Sequence, residues 1–219
     1  NSPGLCGANA IIPIPANSDN CSIASIVNDF NGTSDASGFY GFGTTSVSYT
    51  VTDPPGNTAT CSNVVTVTDN ELPVITCAGN QNVTSDAGVC TYSNSGVAWD
   101  ATGTDNCSLT ITYAMTGATT GSGSSLNGVI FNGGITNVLW TITDGSGNTA
   151  TCTQTISVDD IQNPVITNCG LNANQSVVAD AGVCTYTHTG TTWNATATDN
   201  CHVSTITYTL SGATTGTGT

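Results

Sequence analysis

The chain has 219 residues, no Lys or Arg, 14 Asp plus Glu and a formal charge of -14. Without a fixed cation it cannot neutralise a nucleic-acid backbone, and it lacks a polybasic membrane patch, a phosphate-loop lysine and any Arg or Lys salt bridge. At 6% charged and 37% hydrophobic residues it is not a charge-rich disordered tail, and no run of about 20 apolar residues offers membrane insertion.

In chain order, the middle of the sequence reads as strands. "PVITC" (73–77) comes first, then "GVAW" (96–99) and the alternating "SLTITYAMT" (108–116). "GVIF" (128–131) follows, then "NVLWTITD" (137–144), the turn "GSGN" and "TATCTQTISV" (149–158), which together read as a hairpin. That gives about seven short strands in some 90 residues, the spacing of an immunoglobulin-like or fibronectin-like sandwich. Helix formers are nearly missing: the chain has one Glu, no Lys and one Met, while Thr, Ser, Val, Asn and Gly dominate. The expected fold class is all-β, as tandem disulfide-linked sandwich domains.

The chain repeats itself. "SDNCS" (18–22) returns as "TDNCS" (104–108) and "TDNCH" (198–202). "DAGVCTY" occurs at 86–92 and 180–186, and "GNTATC" at 56–61 and 147–152. Matching cysteines stand 91 to 94 residues apart (Cys61 to Cys152, Cys77 to Cys169, Cys90 to Cys184, Cys107 to Cys201). Residues 1–69 read as a partial repeat without its first strand, 70–160 as a complete one, and 161–219 as a partial one without its last strands. The expectation is a window onto a longer array. The rival is a filament subunit whose incomplete ends are completed by neighbouring chains through strand donation.

Ten Cys without a Cys-x-x-Cys pair read as disulfides rather than metal thiolates. Disulfides place the chain outside the cell or on its surface. Four Cys per repeat allow three pairings, and spacing does not choose among them.

The residues "PVITC", "AGVCTY...VAW...TDNC" and, above all, "TVTDPPGNTATCSNVVTVTD" (50–69) with "TITDGSGNTATCTQTISVDD" (141–160) resemble the hyalin repeat (HYR) family. This is a family of immunoglobulin-like extracellular modules, and the four-Cys form resembles the version in large surface adhesins of Bacteroidetes-type bacteria. The resemblance implies a structural or adhesive module without catalytic residues. Two-Cys members keep the counterparts of Cys77 and Cys152, which implies that this pair bonds. Cys90 would then pair with Cys107, Cys6 with Cys21 and Cys184 with Cys201, leaving Cys61 and Cys169 unpaired. A competing scheme joins Cys107 to Cys152 and Cys77 to Cys90, on the ground that these positions share one end of a sandwich.

Acidic residues gather at the repeat junctions (Asp69, Glu71, Asp159, Asp160) and in recurring loops (Asp19, Asp53, Asp105, Asp144, Asp199). Calcium wants six to eight oxygens, and an acidic joint between tandem domains is a natural place for it. Asp69, Glu71, Asp159, Asp160, Asp105 and Asp144 are therefore its candidate ligands. The plainer reading has Asp53 and Asp144 cap their own turns. Trp99 and Trp193 share one repeat position, and Trp140 aligns with Tyr49, a recurrence that fits core packing better than a sugar-stacking platform. His188 and His202 stand apart from any partner motif, and no nucleophile–base constellation recurs, so no enzymatic role is expected. Asn-x-Ser/Thr triplets occur at Asn20, Asn31, Asn82, Asn106, Asn174 and Asn194.

The expected function is mechanical: a stalk or fibre segment of a long extracellular adhesin. A filament subunit and a carbohydrate- or surface-binding module are the alternatives. Expected partners are neighbouring repeats of the same or an identical chain and surface glycans, with no nucleic acid.

Overall fold

Strand patterning decides the architecture. In "NVLWTIT" every second residue is large and apolar on one face, so Val138, Trp140 and Ile142 are buried while Asn137 and Leu139 face solvent. The computed structural model describes residues 2–169 and 174–219, and among these there is no helix.

The first segment contains β1 (Gly7–Ala10), β2 (Ser25–Asn28), β3 (Gly38–Gly41), β4 (Gly43–Thr52) and β5 (Thr58–Val67). A β2-β4-β5 sheet faces a β1-β3 ladder. Ala36, Tyr40, Val47, Tyr49 and Val67 fill the space between them.

The middle segment contains β6 (Val74–Thr76), β7 (Gln81–Thr84), β8 (Thr91–Ser93), β9 (Thr102–Thr104), β10 (Leu109–Gly117), β11 (Gly121–Gly123), β12 (Ile130–Asn132), β13 (Gly134–Asp144) and β14 (Thr149–Asp159). One sheet has the order β11-β10-β13-β14-β7; the short ladders β6-β9 and β12-β8 lie opposite. Trp140, Ile156, Val158, Tyr113 and Met115 from the large sheet meet Leu126, Phe131 and Ala101 in the core. Trp140 Nε1 donates to Gln154 Oε1 at 3.3 Å, and Gln154 Nε2 donates to Trp99 O, so the buried Gln154 amide is satisfied on both sides.

The last segment contains β15 (Val165–Asn168), β16 (Thr196–Thr198), β17 (Tyr208–Leu210) and β18 (Gly216–Gly218), paired β15-β16 and β17-β18. These pairings copy β6-β9 and β10-β11 of the middle segment.

Two expectations change. The middle segment has nine strands rather than about seven, because the opening strand divides at Gly79, whose φ of +90° breaks the extended run, and because β10 turns back into β11. "GVAW" is not a strand. It is a turn in which Asp100 N–H bonds Val97 O, placed after the short strand β8.

The joint between repeats as the candidate functional site

Each recurring loop folds on its own aspartate. In "TDNC" the Asp carboxylate accepts the backbone N–H two residues on, which bends the chain at the cysteine. Cys21 N–H donates to Asp19 Oδ1 (2.8 Å), Cys107 N–H to Asp105 Oδ2 (2.7 Å) and Cys201 N–H to Asp199 Oδ1 (2.9 Å).

The asparagine of the loop then reaches into the preceding repeat. Asn106 Nδ2 donates to Leu5 O at 3.0 Å, and Asn200 Nδ2 donates to Val89 O at 3.0 Å. Leu5 and Val89 each precede a cysteine, and those cysteines are bonded across the joint: Cys6 to Cys107 and Cys90 to Cys201, with Cα atoms 4.8 and 4.6 Å apart. Main-chain bonds anchor the receiving side, from Phe42 N–H to Cys6 O and from Gly133 N–H to Cys90 O.

The hairpin turn also grips the linker. Asn148 Nδ2 donates to Asp144 Oδ2 (2.7 Å) and lies within bonding range of Asp69 O and Glu71 O. Asp144 is buried and accepts Ser146 N–H and Asn148 N–H. Burial opposes its ionisation, but the bonds from the Asn148 side chain and from the turn backbone outweigh that and hold its carboxyl below the usual range. Asp53 is held below its ordinary value by the Asn57 side chain and the turn backbone, which together outweigh burial. Both residues cap their turns.

The disulfide pairing within repeats is corrected. Cys90–Cys107, Cys6–Cys21 and Cys184–Cys201 do not form, nor do Cys107–Cys152 and Cys77–Cys90. Cys77 bonds Cys152 inside the middle repeat, packed against the Trp140 core. Cys21, Cys61, Cys169 and Cys184 carry free, exposed thiols. The reason is strand length. Cys107 lies beside Leu109, opposite Asp144, while Cys90 is held by Gly133 beside Gly134, the other end of β13. Eleven residues of extended chain separate those ends by roughly 30 Å, and a cystine needs Cα atoms within about 7 Å.

Of the candidate calcium ligands, the joint brings Asp69 and Asp105 together: with Cys107 they place ligand-type atoms within 4.8 Å of one another. Cys107 is committed to its cystine, so the donors there are oxygens. Asp105 Oδ1 and Asn106 Oδ1 are buried without a hydrogen bond, and Asp199 Oδ2 and Asn200 Oδ1 repeat that condition at the next joint. Glu71 accepts Gly4 N–H, Asp159 accepts the Ser157 hydroxyl and Asp160 accepts Gln162 N–H; all three are exposed.

The aromatic positions divide. Trp140 and Tyr49 are fully buried. Trp99 is half-buried and stacks on Tyr92. Trp193 stacks on His188 with ring centroids 3.9 Å apart, so His188, expected to stand alone, has a partner. Among the Asn-x-Ser/Thr triplets, Asn106 has its amide engaged in the joint, which leaves no room for a glycan there. Loop-to-neighbour bonding by Asn106 and Asn200 was missed from sequence, although the recurring "DNC" was the signal for it.

Together these features define a class: tandem all-β immunoglobulin-like sandwiches whose joints are bridged by disulfides. The model of the HYR domain matches residues 68–158. Hyalin of Strongylocentrotus purpuratus is 34% identical over 161 residues, covering 72% of this chain and 12% of hyalin itself. The complete middle repeat belongs to the hyalin repeat family, and the chain is an extracellular repeat protein. Among solved structures, protocadherin gamma B7 extracellular cadherin domains 1-4 align over 79% of this chain and 51% of that one, at 14% identity and a TM-score of 0.32. The protocadherin gammaB7 EC3-6 cis-dimer aligns over 73% and 45%, at 12% identity and a TM-score of 0.30.

Proposed function

We propose that the chain is a load-bearing, non-catalytic segment of a cell-surface adhesin, a stalk or fibre whose joints are made inextensible by disulfides. One observation carries this reading: the rings closed by Cys6–Cys107 and Cys90–Cys201 overlap. Tension entering at Cys6 crosses to Cys107, runs back only to Cys90 and crosses to Cys201. The covalent path through the repeat is thus 17 residues long instead of the 94 from Cys107 to Cys201. Fully stretched, 17 residues span about 60 Å and 94 span about 320 Å. A repeat that unfolds under load therefore cannot pay out its length.

Pulling single molecules by their termini tests this. The oxidised chain should reach a contour length of about 140 Å, and the reduced chain about 750 Å, from the residues left in each path. An oxidised chain that lengthens by several hundred ångströms would rule the reading out.

A second reading concerns calcium at the first joint, favoured by the Asp69–Asp105 approach and the buried acceptors Asp105 Oδ1 and Asn106 Oδ1 in a chain without Lys or Arg. A divalent ion there would supply the missing positive charge. The chain should melt higher in calcium than in chelator, and Asp105→Asn should remove that difference. Equal midpoints in the two buffers would exclude the site.

A further inference from the structure

We propose that the Cys6–Cys107 and Cys90–Cys201 bonds are two turns of one periodic cross-link, and that Cys184 and Cys21 are its next half-cystines. Cys184 takes the Asp-Asn-Cys cysteine of a further hyalin-type repeat. Cys21 takes the cysteine of a repeat on the opposite side, at the position that Cys6 and Cys90 occupy here.

Both free loops already hold the bonded geometry. Around Cys90, Asp86 N–H donates to Thr91 O (2.7 Å), Val89 N–H to Asp86 O (3.2 Å) and Ser93 N–H to Asp86 Oδ2 (2.9 Å). Around Cys184 the same three bonds recur: Asp180 N–H to Thr185 O (2.8 Å), Val183 N–H to Asp180 O (3.2 Å) and Thr187 N–H to Asp180 Oδ2 (2.9 Å). Likewise the Asp19 carboxylate holds Cys21 N–H and Ser22 N–H as Asp199 holds Cys201 N–H and His202 N–H. The loops thus fold without the cross-link, and they leave Cys184 and Cys21 exposed where their counterparts are bridged. This preorganisation removes much of the ordering cost of forming the next joint.

Each joint forms as two thiols lose two protons and two electrons to make one S–S bond. The electrons pass to a disulfide oxidant, small-molecule or protein, which leaves by exchange as two thiols. The complementary cysteine is the same chemical group whether it belongs to the continuing polypeptide or to a second copy of the chain.

The test is cystine mapping on protein isolated from its source without reductant. Free thiols are alkylated, the unreduced protein is digested with pepsin, and linked peptides are identified by mass. The Cys184 peptide should be joined to an Asp-Asn-Cys peptide, and the Cys21 peptide to one matching the Cys90 loop. Before digestion, an intact protein that keeps its mass on reduction places the neighbour in the same polypeptide, and one that collapses to a smaller mass places it in another copy; either supports the proposal. Cys184 joined to Cys201, Cys21 joined to Cys6, or either residue recovered as the alkylated thiol would overturn it. This outcome is independent of how the array behaves under load.

Discussion

Cys90 and Cys107 stand 17 residues apart in one repeat and face opposite neighbours: Cys107 is bonded back to Cys6 and Cys90 forward to Cys201. A cysteine pair that looks like a local loop closure is in fact the two ends of a domain. It turns a string of sandwiches into a run of fused covalent rings that share the stretch from Cys90 to Cys107.

The single glutamate gives a direct check. Glu71 is exposed, lies between Cys6 and Cys107, and is the only Glu in the chain. A Glu-specific protease should cut once, and the product should stay together near 21.9 kDa until reduced, then separate. Pairing of Cys6 with Cys21 would instead release two fragments without reductant. Trypsin, with no Lys or Arg to recognise, should leave residues 1–219 uncut even after reduction and unfolding.

Cys107→Ser should destabilise the chain by about 4 to 5 kcal/mol, the chain-entropy value for a ring of this size, since the bridge spans 101 residues. Denaturant unfolding of the oxidised variant measures it. The variant should also expose one new titratable thiol, that of Cys6.

Acid should weaken the turns. The carboxyls of Asp53 and Asp144 titrate below their ordinary value in the folded chain, so folding is favoured while both are ionised. Their contribution is complete above about pH 4, the unfolded carboxyl range, and is lost as pH falls through the lower folded values. Asp144→Asn should lower the midpoint at neutral pH and flatten its acid dependence. An unchanged pH profile would show that the Asp144 bonds contribute nothing.

Gln154→Ala should cost about 2 to 4 kcal/mol, combining a cavity with two stranded polar groups. The groups are Trp140 Nε1 and Trp99 O, which lose the side chain that satisfies them. Thermal unfolding followed by tryptophan fluorescence reads both the loss and the altered indole environment.

Gly117→Ala should destabilise the β10 to β11 turn by roughly 1 to 3 kcal/mol, because the site demands a left-handed conformation. Gly117 has φ of +101°, and a Cβ there would run into the carbonyl oxygen of Ile135. Melting curves of the variant and the parent measure the effect.

The repeat, the all-β class and the hairpin around "GSGN" are all legible in the residues alone. Each follows from local chemistry: Val138, Trp140 and Ile142 alternate by the two-residue period of a strand, and Asp144 with Asn148 closes the turn through its own backbone. "GVAW" misled because four apolar or small residues fit a strand as well as a packed turn, and only the core around Trp99 distinguishes them. The acidic joint was half legible: Asp69 and Asp105 meet, whereas Asp159 and Asp160 face solvent. The cystine pattern, by contrast, is set by how the strands and repeats pack. Pairing depends on which sulfurs come within a few ångströms, and that distance is set by the length of β13 and the stacking of one repeat on the next, neither of which is encoded in the spacing of the cysteines.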